Sequence, residues 1–221
     1  AVKALWSVLK ESDNKRNSTV ALVQTIDSKG KDVWITKIPK VTAGSLFLGY
    51  WKTNATNTLN STKFGVKFDN SLGKPVAVKG WYKYESGKDY YTCEEPYTKN
   101  CHKATKTEGQ EFVDRFSIKV SLYKTDEFDD TKYEDCLTGE ADEKNFYLSS
   151  RVVGKGVFED GGTNGEWKEF NISLSYDGDS FDAEQKYRFA IVCSSSKDGD
   201  KFWGAPGSKL WVDDIEVIYK K

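Results

Sequence analysis

The stretch from Tyr187 to Tyr219 constrains the fold more than any other part of the sequence. Over Tyr187–Cys193 every second residue is apolar or aromatic, which is the period of a β-strand whose two faces meet different surroundings. Leu210–Tyr219 is a second such run, but its apolar parity changes at Asp213 and Asp214. Because a slip of one residue turns a strand's side chains to the other face, the pattern predicts a β-bulge at this Asp pair.

Similar short apolar runs occur along the rest of the chain. They cover Val20–Thr25, Val33–Ile38, Ser45–Lys52, Phe64–Phe68, Val76–Tyr84, Phe112–Tyr123, Phe146–Val153 and Trp167–Tyr176. One segment, Asp129–Cys136, predicts a short helix, and no sustained helical periodicity or internal repeat is found. About ten short strands with polar turns are typical of an all-β antiparallel sandwich, most simply a jelly roll. We therefore expect residues 1–221 to form one jelly-roll domain.

Composition limits the classes of partner. The formal net charge is −1, so electrostatics give no reason to expect binding to nucleic acid or to an anionic membrane. No apolar run is long enough to span a bilayer, and the first residues lack the charge order and cleavage site of a signal peptide. We expect a soluble monomer whose sequence opens on a strand.

The cysteines and the histidine exclude some chemistry. Cys93 and Cys101 flank a short polar loop, which predicts a disulfide in an exported protein. Cys193 lies at the apolar parity of a strand and is predicted to be a buried thiol, whereas Cys136 has no obvious partner. With no paired CxxC spacing and only His102, neither a zinc site nor a Ser or Cys hydrolase is indicated.

The Asp213–Asp214 pair has two interpretations. Oxygen ligands on a bulged strand suit calcium, so a structural calcium ion is one hypothesis. The other is that one Asp caps the bulge through backbone N–H groups while the second faces water. The second is favoured because calcium takes six or more oxygen ligands and the sequence does not identify the others.

Aromatic residues beside polar groups suggest a carbohydrate site, because a pyranose stacks its C–H face on an aromatic ring while its hydroxyls need polar partners. Trp81 shares its strand face with Lys79 and Lys83 and is predicted to form an exposed platform. Trp203, in a Gly-rich connection, is the predicted second wall, and Trp51 at a strand end is a further candidate. The remaining tryptophans are explained by packing in or beside strands: Trp6, Trp34, Trp167 and Trp211.

Four sequence blocks, in this order, resemble a known family. They read FGVKF (64–68), KGWYKYESG (79–87), EWKEFNISLSY (166–176) and CSSSKDGDKFWGAPGSKLWVDDIEVIY (193–219). From about residue 43 to the end, the chain closely resembles the putative carbohydrate metabolism domain, a jelly-roll domain of surface or secreted proteins of gut bacteria. The resemblance implies a galactose-binding-like sandwich of the kind found in carbohydrate-binding modules, and some members are labelled glycoside hydrolases.

Three functions follow as hypotheses. The first is non-catalytic carbohydrate binding outside the cytoplasm, by a secreted or surface-anchored module. The second is glycoside hydrolysis by a pair of carboxylates, which needs two acids at a suitable separation across a cleft. The third is adhesion or scaffolding through a protein partner, which a large, flat apolar patch would favour.

Overall fold

The computed structural model describes residues 7–34, 36–107, 113–127, 129, 134–178 and 181–220. Its strands are β1 (Val8–Asp13), β2 (Ser18–Gln24), β3 (Ile26–Asp27), β4 (Lys31–Val33), β5 (Thr36–Ile38), β6 (Val41–Thr42), β7 (Ser45–Phe47), β8 (Gly49–Trp51), β9 (Thr62–Phe64), β10 (Val66–Lys67), β11 (Lys74–Glu85), β12 (Tyr91–Thr92), β13 (Thr105–Lys106), β14 (Phe116–Lys124), β15 (Val152–Asp160), β16 (Lys168–Ser173), β17 (Ser175–Tyr176), β18 (Tyr187–Ser194) and β19 (Lys209–Lys220).

Helical structure is confined to single turns in the described part of the chain. The α-helical turn is α1 (Tyr97–Asn100), and the 3₁₀ turns are Thr58–Ser61, Asn70–Leu72, Cys101–Lys103, Asp142–Lys144 and Gly199–Lys201. None of these is a helix that could cross a membrane.

Two antiparallel sheets form the body of the protein. The first sheet has the strand order β1-β2-β19-β11-β16. The second has the order β10-β18-β14-β15-β17, with β7 also paired to β18. Each sheet therefore contains strands from both halves of the sequence, as expected when non-local pairing closes a sandwich.

The connectivity is that of a jelly roll. The central neighbours are β2-β19-β11-β16 in the first sheet and β10-β18-β14-β15 in the second. Following these eight strands along the chain, every connection crosses to the other sheet except β14 to β15, which pair directly. This arrangement confirms the predicted fold class, an all-β antiparallel sandwich of the jelly-roll type.

The main core lies between the sheets. Tyr82 and Tyr84 of β11 each place their rings 5.0 Å from the ring of Phe116 on β14. Leu210 of β19 and Ile191 of β18 belong to the same buried cluster. The side chains that alternate with these core residues therefore point away from the sandwich, on the outer face of each sheet.

The outer face of the second sheet carries a second apolar cluster. Ala190 and Val192 of β18 pack there with Phe64, Leu137 and Phe146, which come from the segments that cover this sheet. The rings of Phe64 and Phe146 lie 4.5 Å apart. These contacts hold two long segments over the sheet and leave a pocket beside them.

The predicted bulge at the Asp pair is present. Val212 and Val217 both pack against the core, although an uninterrupted strand would place them on opposite faces. The register between β19 and β11 shifts between Lys79 and Trp81. Asp214 takes up the extra residue with a left-handed backbone, at φ 48°.

Two predicted strands are wrong. The run Val33–Ile38 is not one strand, because β4 and β5 pair as a hairpin. Trp34 lies in the hairpin turn at φ 39° and is 94% exposed, so packing does not explain this tryptophan as predicted. The run Phe146–Val153 is extended only from Val152 onwards, where β15 begins.

Most of strand β15 was not predicted, because two glycines interrupt its apolar pattern. Gly154 and Gly156 interrupt its apolar alternation, yet a Cβ at Gly154 would lie 2.5 Å from the Tyr176 ring. Close packing of that ring on the strand therefore requires a residue without a side chain. Half of the predicted helix Asp129–Cys136, residues 130–133, lies outside the described residues, and so do Trp6 and the first residue of the run Phe112–Tyr123.

The predicted disulfide between Cys93 and Cys101 is not formed. All four cysteines are buried free thiols, as expected for Cys193. Cys93 donates a hydrogen bond to the carbonyl of Lys201 at 3.4 Å. Both thiols pack with Phe202 in a small apolar cluster, so burial of this cluster holds the loop without a cross-link.

We expect four free thiols when the protein is unfolded without reductant, and slow labelling of the native protein. Burial raises the pKa of Cys101 to about 11 and that of Cys193 to about 12, and the thiolate is the reactive form. Titration with a thiol reagent before and after unfolding measures both quantities. A count of two free thiols after unfolding would show that a disulfide is formed after all.

Candidate functional site

The outer face of the first sheet interleaves tryptophans with cations. Arg16, from the turn between β1 and β2, lies with its guanidinium carbon 4.4 Å from the centre of the Trp81 ring and 5.7 Å from that of Trp167. Trp81 is half-buried. The predicted open platform is thus only partly available, since a guanidinium already covers Trp81.

Arg16 also binds both residues of the bulge. Its Nε lies 3.1 Å from Asp213 Oδ2 and its Nη2 lies 2.5 Å from Asp214 Oδ2. Ser18 donates a further hydrogen bond to Asp213 at 2.8 Å. Side chains, rather than the predicted backbone N–H groups, therefore hold the Asp pair.

This donor set does not fit a calcium ion. The guanidinium of Arg16 supplies the positive charge between Asp213 and Asp214. Nowhere in the described ranges do three or more Asp, Glu, His or Cys residues gather as a metal would require. Calcium needs six or more oxygen ligands, and among the described residues the bulge brings together two carboxylates, both bound by Arg16.

Lys83 is directed into the same network. Its ammonium lies 3.2 Å from Asp13 Oδ2 and 4.3 Å from the centre of the Trp211 ring. The indole N–H of Trp167 donates to the same carboxylate at 3.1 Å. Burial opposes ionisation of Asp13, but its hydrogen bonds outweigh burial and lower the pKa of this carboxyl. Lys83 therefore binds Asp13 and packs against Trp211, whereas the sequence predicted that it would contact a sugar.

A wide groove lies next to this network on the same face. It encloses about 840 Å³ and is lined by Trp81 and Lys79, together with polar residues of β16 and β19. Glu216 forms an ion pair with Lys79 at 3.1 Å. Of the residues predicted for the site, the groove thus brings together Trp81 and Lys79.

Trp203 lies elsewhere. Its indole N–H donates to the carbonyl of Cys93 at 2.9 Å, and its ring meets the Tyr97 ring edge-on at 5.7 Å. It packs against the small cluster that holds Cys93 and Cys101. Trp203 does not line the groove at Trp81, so it is not the second wall that was predicted.

Trp51 lies on the opposite side of the molecule, at a pocket on the outer face of the second sheet. It ends β8, is 63% exposed, and lines this pocket of about 310 Å³. Its indole N–H donates to Thr53 at 3.2 Å. Among the predicted site residues, Trp51 presents the most open ring beside a concave surface.

The pocket has an apolar base and polar walls. Val192 of β18 and the rings of Phe64 and Phe146 line it, and they belong to the second apolar cluster. Strands β7, β14 and β18 add polar side chains from their outward positions. These are Ser45, Ser117, Lys119 and Ser194. A mostly apolar cavity with a few convergent polar groups is the usual form of a small-molecule site.

Charged groups lie on two sides of this pocket. Lys119 is half-buried, and its ammonium lies 5.8 Å from the centre of the Tyr147 ring. Lys197 lines the other side and pairs with Asp198 at 2.6 Å, while Asp200 is exposed at the pocket edge. The pocket therefore offers both donors and acceptors around an apolar surface.

Sequence reasoning missed most of this pocket. Phe146 was assigned to a strand, and Lys197 and Asp200 lie in the connection from which Trp203 was selected. One signal was present, because the alternation of β14 places Ser117 and Lys119 opposite its apolar face. No local pattern indicated that distant segments would partly cover this face.

Two solved structures are similar to the chain over nearly its whole length. One is named a putative glycoside hydrolase from Bacteroides thetaiotaomicron VPI-5482, with 25% identity and a TM-score of 0.74, covering 98% of this chain and 57% of that one. The other is named a putative glycoside hydrolase from Bacteroides vulgatus ATCC 8482, with 27% identity and a TM-score of 0.71, covering 97% and 78%.

The chain spans little more than half of the first of these structures. No curated protein matches the sequence. The model of one family, described as the putative carbohydrate metabolism domain, matches residues 3–218. That match covers almost all of the sandwich, so the chain belongs to the putative carbohydrate metabolism domain family.

Proposed function

We propose that this protein is a non-catalytic carbohydrate-binding module and that it binds a sugar in the pocket beside Trp51. The observation that carries the proposal is an indole ring, 63% exposed, at the edge of a pocket lined by both apolar and polar groups. Membership of a carbohydrate-related family supports the ligand class.

The pocket chemistry suits a pyranose ring. The exposed face of Trp51 can take the C–H face of a sugar, while Lys119, Ser117 and Asp200 offer polar atoms for its hydroxyls. Its volume of about 310 Å³ is at the small end of the range for ligand sites. We therefore propose recognition of one or two sugar rings. We also propose that the protein acts outside the cytoplasm, as its resemblance to surface or secreted proteins implies.

Trp51→Ala should weaken glycan binding by about 10- to 100-fold, because loss of a stacking aromatic costs about 1–3 kcal/mol. The melting temperature should stay nearly constant, since the ring is mostly exposed. A glycan array selects the ligand and calorimetry then measures affinity.

The matched control is Trp34→Ala. Trp34 is 94% exposed but lies outside the pocket, so its loss should leave affinity unchanged. Equal weakening by both variants, or full affinity in Trp51→Ala, would remove the pocket as the binding site.

Glycoside hydrolysis is a second candidate, because both similar structures carry that name and three carboxylates line the groove at Trp81. These are Glu169, Asp214 and Glu216. Against this candidate, Asp214 already binds Arg16 and Glu216 binds Lys79. Release of reducing sugar that disappears in Glu169→Gln would favour the enzyme, whereas no release from any array ligand would favour binding.

A further inference from the structure

We infer that the groove beside Trp81 is a second glycan-binding surface, on the face of the sandwich opposite the Trp51 pocket. It is lined from three neighbouring strands of the first sheet and encloses about 840 Å³. The Trp51 pocket lies on the second sheet, so the two surfaces are separated by the main core. The inferred ligand is a neutral glycan chain with free neighbouring hydroxyls.

The pairing register sets out the lining side chains in two rows. Asn171, Lys79 and Glu216 lie side by side across β16, β11 and β19. The next row contains Glu169 and Trp81. Because paired strands lie about 4.8 Å apart, the row of three residues spans about 10 Å and the row of two about 5 Å. These side chains face solvent and present an amide, an ammonium, two carboxylates and the exposed part of an indole. The length of the longer row suits a sugar chain rather than one ring.

The bulge gives this face its depth. Asp214 adopts the left-handed region at φ 48° and Ile215 follows it at the groove surface. Both residues lie opposite Gly80, where the register between β11 and β19 shifts. A bulge of this kind bends its strand and changes the direction of its side chains, which here leaves the groove open.

The state of the carboxylates favours binding over cleavage. Glu216 accepts from Lys79 and Asp214 accepts from Arg16. Across the described residues, Glu169 is the lining carboxylate for which no ion pair is found. Carboxylate oxygens accept hydrogen bonds from neighbouring hydroxyls. Three carboxylates against the two cations Lys79 and Arg16 leave an excess of negative charge, which disfavours an acidic sugar.

Two surfaces on opposite faces would make the module bivalent. A polysaccharide that reaches both surfaces is held more tightly than either surface holds it alone, because the second contact forms at high local concentration. This consequence rests on the proposed function of the Trp51 pocket. The groove itself does not, because its residues belong to the other sheet.

The experiment compares four proteins: wild type, Trp51→Ala, the groove variant Glu169→Gln/Asn171→Ala, and the combination of both. Retention is measured by affinity electrophoresis in starch, xylan, β-glucan and pectin, and oligosaccharides from the retained polymer are then titrated for stoichiometry. Lys168→Ala is the control, since Lys168 is an exposed neighbour on β16 that does not line the groove.

We expect two oligosaccharides per wild-type chain and one per chain in each single-site variant. Polymer retention should fall about tenfold or more in each and reach background in the combination. If the groove variant keeps wild-type retention and stoichiometry, the second surface is wrong and the pocket stands. If Trp51→Ala is silent but the groove variant loses binding, the pocket is wrong and the groove stands. A wild-type protein that none of the four polymers retains would overturn both.

Discussion

Asp114→Ala is expected to lower the free energy of unfolding by about 3–5 kcal/mol. Asp114 is 1% exposed, and its Oδ2 accepts hydrogen bonds from Ser196 at 2.6 Å, Ser208 at 2.7 Å and the Ala205 N–H at 2.8 Å. Alanine would remove the acceptor that all three buried donors share, and of these the Ser196 hydroxyl also lies 2.6 Å from the Thr25 hydroxyl. Burial raises the pKa of Asp114, against the effect of its hydrogen bonds, so this carboxyl is a costly group that the fold retains.

The position of Asp114 explains why its loss should affect the whole sandwich. Its three distant donors lie in the connection between β18 and β19, while Asp114 itself precedes β14. The side chain thus ties the entry to a strand of the second sheet to the connection that returns the chain to the first. Loss of this side chain should therefore loosen both segments that it joins.

Chemical denaturation followed by tryptophan fluorescence measures the effect. Asp114→Asn should fall between wild type and alanine, because the amide keeps the shape but replaces one acceptor by a donor. Asp126→Ala is the matched control, since Asp126 is exposed. A loss in Asp114→Ala no larger than in this control would show that the connection is held by other contacts.

Arg16→Ala should have the second largest effect, about 2–3 kcal/mol of stability. The side chain of Asp213 is only 10% exposed, so removing its cation leaves a largely buried carboxylate with one hydroxyl partner, Ser18. Breaking such a pair is costly because the remaining charge has lost its solvent and its partner. Loss of the guanidinium over Trp81 adds to the cost.

The neighbouring residue provides the control. Lys15 forms an ion pair with Glu166 in which both side chains are mostly exposed, and such pairs contribute about 0–1 kcal/mol. Lys15→Ala should therefore change stability little. In a double-mutant cycle, Asp213→Asn should recover part of the loss in Arg16→Ala, because the unpaired charge is gone. If chelator lowers the wild-type melting temperature and calcium restores it, the Asp pair binds a metal after all.

The parts of the site that depend on neighbouring residues were predictable from the sequence, and the parts that depend on distant segments were not. Alternation placed Trp81 and Lys79 on the face away from Tyr82, and the structure keeps them together in one groove. The cover over Trp81 was not predictable, because Arg16 reaches it from a turn far away in the sequence. Trp51 was selected only as a strand-end aromatic, and its value became clear from its exposure beside a pocket.

The sequence by itself determined the fold class, the inward faces of the main strands and the bulge at Asp213 and Asp214. These follow from side-chain parity, which is a property of neighbouring residues and survives any arrangement of strands. Tertiary structure alone decided which outward residues meet. Trp51, Lys119 and Phe146 line one pocket only because the jelly roll brings distant segments over one sheet, and the free energy of that non-local burial is not encoded in any short stretch of the chain.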